Sequence, residues 1–214
     1  MLAGALVGGA LAGAGAAYQA MFRNPLVSPD ILGVSAGAGF GAPLALYLGG
    51  PILVIQGAAF AGGLVAVAVV VAVAGRVRRH DPVLVLVLAG VAVGTLLAAG
   101  ASLIKILADP YTQLPAMTYW LLGSLSAVTQ ADVRAAAPAV ACGLVPLWLL
   151  RWRVNLLSLA DEEASAMGVD VRRLRVALVA AATLITAAAV SISGTIGWVG
   201  LVVPHVARLM VGPD

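Results

Sequence analysis

Long apolar runs, broken by short polar segments, make up the chain. The runs are Leu2–Phe22, Ile31–Leu48, Ile52–Ala74, Val83–Leu107, Val133–Leu150 and Val176–Ser191. Each lies near the ~20 residues that a helix needs to cross a bilayer, the second and fifth being somewhat short. A polar/apolar alternation of the kind a membrane barrel needs is missing. The pattern predicts an all-α polytopic membrane protein with about six transmembrane helices. Gly33, Gly37 and Gly41 recur at a spacing of four in the second run, a close-packing face, and Pro138 and Pro146 predict kinks in the fifth. Between Tyr111 and Gln130 the apolar stretch Met117–Val128 is too short to span, and Tyr111, Tyr119 and Trp120 suit an interface. This segment is predicted as a surface or re-entrant helix that stays on one side. Two further breaks are the proline-punctuated turn Arg23–Asp30 and the stretch Gly194–His205. In the second, glycine at every third position followed by Pro204 predicts a broken helix, a packing corner or the lining of a path.

The break that matters most is Arg151–Arg175. It holds nine of the 21 formal charges: Arg151, Arg153, Arg172, Arg173, Arg175, Asp161, Glu162, Glu163 and Asp170. A charge at the bilayer centre costs about 2.5–3.5 kcal/mol on insertion scales, so this island belongs in water or against another protein. Leu156, Leu159, Ala160, Glu163, Ala164 and Met167 share one helical face. Ser158 with Asp161 approximates a capping box, and acids at 161–163 suit the positive end of a helix. Gly168 is a candidate C-terminal cap and Asp170 the cap of a second helix. Such a segment is either a solvated loop or a docking element for a soluble partner.

Composition narrows the chemistry. The chain of 214 residues is 62% hydrophobic and 10% charged, with a net charge of +3. Its basic residues sit at span ends, where they report topology rather than nucleic-acid binding. The single cysteine, Cys142, excludes an intrachain disulfide and a cysteine-cluster metal site, and is expected to be a small buried hydrophobe. Lys105 is the only lysine and no glycine precedes it, so there is no P-loop for ATP. No carboxylate stands in the middle of a span, which argues against a proton- or sodium-coupled carrier. No cofactor or metal site and no catalytic residue is indicated. If the six runs alternate across the membrane, one side receives Arg23, Arg76, Arg78, Arg79, Arg151, Arg153, Arg172, Arg173 and Arg175, and the other Lys105, Arg134 and Arg208. The positive-inside rule then makes the island cytoplasmic. The chain would start outside and end in a turn, Val211–Asp214, which predicts an internal portion of a longer protein.

Several strings carry a resemblance. Arg23-Asn24-Pro25-Leu26-Val27-Ser28-Pro29-Asp30-Ile31-Leu32-Gly33-Val34-Ser35 resembles a signature of the FecCD-type permeases, the membrane subunits of ABC importers for iron-siderophores, haem and vitamin B12. Leu88–Ala92, Tyr119–Leu125, Leu157–Ala164 with Met167–Val169, and Gly197–Arg208 are similar to further motifs of that family, in the same order. Trp198 and Ala160 stand where family members often have Phe and Gly. The resemblance implies a single permease domain over residues 1–214, part of a subunit of about ten helices in the inner (cytoplasmic) membrane of a bacterium or archaeon. It further implies a second copy of the permease, a cytoplasmic ABC ATPase dimer, an extracytoplasmic substrate-binding protein and no enzymatic activity of its own. The family's first helix and last three helices would be absent. Residues 155–175 match its coupling segment, with Asp161, Glu162, Glu163, Ala164, Met167 and Gly168 as the ATPase-coupling residues. Asn24, Pro25, Leu26 and Pro29, with the His80–Leu84 segment (Val83 and Leu84 foremost), match the cytoplasmic gate. Gly194, Gly197, Gly200, Pro204, His205 and Arg208 are expected at the broken helix and the extracytoplasmic face. The expected cargo is an iron chelate or cobalamin. The alternatives are an ion-coupled secondary transporter or channel, and an ABC permease for metal ions.

Overall fold

The structure, a computed structural model, describes residues 1–77 and 82–212. The expected gate residue His80, Arg78 and Arg79, and the last two residues of the terminal turn lie outside the described residues. Among the described residues ten α-helices follow in order: α1 Leu2–Phe22, α2 Val34–Tyr47, α3 Ile52–Ala74, α4 Pro82–Leu107, α5 Gln113–Leu122, α6 Gln130–Leu149, α7 Arg151–Asn155, α8 Asp161–Ala166, α9 Val171–Ser193 and α10 Val199–Val211. Among the described residues the fold is all-α. Five helices, α1, α3, α4, α6 and α9, are long and apolar enough to cross a membrane, and α2 and α10 are apolar but shorter.

The second predicted span is therefore shorter than expected, and the path of the chain explains it. After α1 the backbone turns at Arg23 and folds back into the bundle through a 3₁₀ turn, Pro29–Leu32. Gly33, at φ 82°, then lies against the backbone of α4 at Gly90 and Gly94. Gly90 is about 12 Å along α4 at the usual rise per residue. α2 thus begins inside the bundle and needs only its 14 residues to reach the far end. The Gly37–Gly41 face packs as expected. A side chain at Gly37 would meet the Ala66 methyl at 2.7 Å, and one at Gly41 would meet the Ala58 carbonyl carbon at 2.8 Å. Gly33 serves α4 rather than that face.

The bundle is built around α9. Of its apolar window 72% is buried, against 11% for α4 and 17% for α6, so these two helices present apolar faces outward. α6 crosses α9 where Gly143 meets the Ala181 carbonyl and Ile185. α1 lies on the other side of α9, with buried Tyr18 sharing a hydrogen bond with Thr183 at 3.3 Å and its ring 5.9 Å from Phe22. α5 stays at one end, as predicted. It anchors on Met117, fully buried beside Ile104, Ala108 and Phe40, and Gln113 donates to the Tyr47 carbonyl at 3.0 Å. Thr129 and Asp132 form a capping box that starts α6, and Gln56 of α3 donates to Asp132 at 2.9 Å. Cys142 is exposed on α6 rather than buried, because α6 turns only a narrow face to the bundle.

The last break differs most from expectation. Only residues 194–198 are irregular; Gly200, Pro204, His205 and Arg208 all belong to α10. Pro204 sits six residues into this helix, and Trp198 at φ 69° turns the chain into it.

Candidate functional site

The polar island folds back on the bundle end that holds Arg23 and Arg151. Its predicted single helix is broken. Leu156–Ser158 forms a 3₁₀ turn, Leu159 is extended, and α8 starts at Asp161 with Ala160 as N-cap. Ser158 is thus not the cap. Glu163 accepts from the Ala160 backbone N–H at 3.3 Å, so one half of a capping box forms, and three acids line the first turn of α8. Gly168, at φ 84°, reverses the chain after α8, a conformation that costs other L-residues roughly 1 kcal/mol or more. Asp170 then caps α9 by accepting from the Arg173 N–H at 3.0 Å.

The six expected coupling residues do not face the same way. Ala164 is buried at 1% and packs into the core, so it is a support rather than a contact surface. Glu162, Met167 and Gly168 are exposed, Met167 at 64%. Asp161 is exposed as well, its side chain at 47%, but reaches back to the bundle. Its carboxylate takes a bidentate pair from Arg175, at 2.7 and 2.8 Å, and a third contact from Arg23 at 3.3 Å. Arg23 also donates to the carbonyls of Leu157, at 2.5 Å, and of Leu159. Arg23 ends α1 in the left-handed region at φ 50°, its N–H capping on Ala20 and the next N–H on Gln19.

A second polar hub lies one turn earlier in α1. Gln19 is buried at 4%; it donates to the carbonyls of Val27, at 3.3 Å, and of Leu201, at 3.2 Å, and accepts from Arg208. It ties α1, the Arg23–Gly33 turn and α10 together. Arg208 also lines a cavity with Arg151, Val154 and Asn155. Its expected place on the opposite face does not hold, because α10, a helix outside the six apolar runs, returns the chain toward the island. His205 is exposed on α10. Gly194 packs against Trp120 and Gly123 at the other end of the bundle, where Thr195 donates to the Leu121 carbonyl. Gly197 has open space around it, and Gly200 is wedged between Pro29 and Leu11.

The residues expected at the gate are brought together in part. Asn24 accepts from the Leu26 N–H at 2.9 Å and so closes its own turn, while Pro29 is buried. The turn meets α4 through Ile31 and Gly90, and Leu26 and Leu84 are exposed at 73% and 50%. Among the described residues no three His, Cys, Asp or Glu side chains cluster as metal ligands.

The FecCD transport family model matches residues 1–214. The chain belongs to the FecCD transport family. Among its relatives, the cobalamin import system permease protein BtuC of Halobacterium salinarum is 46% identical over 212 residues, covering 99% of this chain and 57% of the relative. A Helicobacter pylori protein named "Probable iron chelatin transport system permease protein" is 43% identical over 209 residues, covering 98% of this chain and 63% of the relative. The fold superposes with a TM-score of 0.93 and 34% identity on an inward-facing conformation assigned to a metal-chelate type ABC transporter, covering 100% of this chain and 68% of that one. The chain spans about three fifths of the length of these curated relatives. Gln19, Arg23 and Asp132 act as polar hubs that the motifs of the sequence do not mark. The signal for Gln19 was present, since a carboxamide in an otherwise apolar run needs a partner.

Proposed function

We propose that the chain forms the core of the membrane-spanning permease subunit of a binding-protein-dependent ABC importer in the cytoplasmic membrane, with the island facing the cytoplasm. A second permease copy, two ATPase subunits and an extracytoplasmic binding protein complete the assembly. ATP is hydrolysed on the ATPase, and this chain carries no reaction of its own. The single observation that carries the reading is the island's construction. A short acidic helix presents Glu162 and Met167 outward while Ala164 and Asp161 hold it to the bundle. A solvated loop needs no such clamp. Closure of the ATPase dimer moves α8, and the bundle exchanges outward- and inward-open arrangements, a population shift that requires the partner to bind one state better.

Cobalamin or an iron chelate is the proposed cargo. The names of the relatives support this, as does the scarcity of ionisable groups in the spans, which suits a large ligand already chelated better than a bare metal ion. The test is co-purification of the full-length permease with its ATPase, comparing the native protein with Glu162→Arg. Glu162 is the cleaner position, because Glu163 also accepts the cap hydrogen bond. Loss of ATPase capture by a variant that elutes as the native assembly supports docking through α8. Failure of the native protein to capture any ATPase would overturn the importer reading in favour of a carrier.

A further inference from the structure

Asp161, expected as an ATPase contact, has a second engagement: its side chain is 47% exposed, yet its carboxylate is paired within the chain. Both oxygens accept from Arg175 of α9, whose side chain is 13% exposed, and one also meets Arg23 at the end of α1. Arg23 in turn spans the approach to α8 at three points: the Leu157 carbonyl, the Leu159 carbonyl and Asp161. α8 is only six residues long, between an extended residue and a glycine reversal. A helix of that length is marginal alone and would swing on its own loops when pushed. A bidentate arginine–carboxylate pair fixes distance and angle together, as a single contact does not. Arg23 occupies a left-handed position where glycine is the usual residue. Such an outlier is retained where a side chain is required, and the work its side chain does here is to reach the island.

We propose that Asp161 is a positioning residue that joins the docking helix to α1 through Arg23 and to α9 through Arg175, so that displacement of α8 is delivered to the turn after α1 rather than absorbed by the island's loops. The inference rests on the coupling reading above and assigns the residues that transmit the motion. Glu162 and Met167 receive the partner; Asp161 and Arg23 pass the displacement inward.

The test uses the full-length permease, with its ATPase, in a Cys142→Ser background carrying Leu26→Cys, a reporter in the turn that is exposed by 73% in the native protein. Maleimide labelling of the reporter is compared without nucleotide and after trapping with ATP and vanadate. Trapping is expected to change the labelling rate by about fivefold or more, the lower range for coupled sites. Asp161→Asn should still capture the ATPase with unchanged affinity and lose that nucleotide response, and Asp161→Glu should restore it. Arg23→Gln, which leaves the Asp161–Arg175 pair in place, should give the same loss with the island still folded, and Arg23→Lys should restore the response in part. Retention of the full response in both Asp161→Asn and Arg23→Gln overturns the proposal. Loss of ATPase capture in Asp161→Asn also overturns it, by making Asp161 a docking contact. Failure of the native protein to capture the ATPase would remove the coupling reading itself, a result distinct from either.

Discussion

Gly200 stands where three parts of the chain meet, and replacing it by alanine tests the architecture around the Arg23–Gly33 turn. An alanine methyl at this position would lie 2.7 and 2.8 Å from the ring carbons of Pro29 and 2.9 Å from the Leu11 carbonyl oxygen. Neither neighbour is a flexible side-chain end: one is a ring fused to the turn, the other is α1 backbone. Ordinary contact begins near 3.4 Å, so the three segments must part by about half an ångström. Overpacking of this kind costs about 1–3 kcal/mol. The next residue accepts the Gln19 hydrogen bond at 3.2 Å, and the same displacement stretches it out of range. That adds about 0.6–1.7 kcal/mol on the scale of polar contacts between membrane helices. Better helix propensity returns at most about 1 kcal/mol. The net loss is about 2 kcal/mol, or roughly 4–8 °C in melting temperature for a chain of this size. Gly197, three residues earlier, provides the control, for nothing lies within 4 Å of its position. Gly197→Ala should therefore melt within about 2 °C of the native protein, the shift that a surface substitution of about 0.5 kcal/mol produces. The assay is thermal unfolding of the detergent-solubilised permease followed by size-exclusion fluorescence. If Gly200→Ala melts no lower than Gly197→Ala, α10 does not cross α1 at this point and the path drawn for the turn is wrong.

Two further outcomes follow from local geometry. Thr129→Ala removes the hydroxyl that accepts from the Asp132 N–H at 3.2 Å and should cost about 1 kcal/mol, seen as a lower melting temperature; an unchanged melt would mean that the cap does not hold α6. Asp109, in the loop after α4, is held below its ordinary value of 3.8 chiefly by the Thr112 hydroxyl and N–H. A lowered carboxyl stabilises its turn at all pH above the ordinary value and loses that contribution as pH falls through the lowered one. The Thr112 amide shift should therefore titrate with a midpoint below 3.8 and not titrate in Asp109→Asn; a midpoint at or above that value would contradict the hydrogen bonding.

What could be read from the chain in advance, and what could not, divides along sequence separation. The full spans were legible because each needs only a local run of apolar residues: Leu2–Phe22 and Ile52–Ala74 appear with the bounds that hydropathy gives. The α8 turn was largely legible because Gly168 and Asp170 act within a few residues of themselves. Two misplacements had one cause. α2 falls short, and α10 is helical despite its glycines, because each starts inside the bundle, where neighbouring backbone sets the conformation: α4 for Gly33, α1 for Gly200. The partners of the hubs were illegible for a stronger reason. Arg23 meets Asp161 across 138 residues and Gln19 meets Arg208 across 189, and nothing in local composition encodes such partners. These two contacts lie on either side of the same short turn. Gln19 holds it from within the bundle, through the Val27 carbonyl, and Arg23 holds it from the island. A turn gripped by two residues one helical turn apart at one helix end cannot follow the island without also disturbing α10. α8 and α10 are therefore mechanically joined through the last turn of α1, and a variant that cuts only one grip, Arg23→Gln, should leave α10 in place and break the island's tie to α1 alone, its tie to α9 through Arg175 remaining.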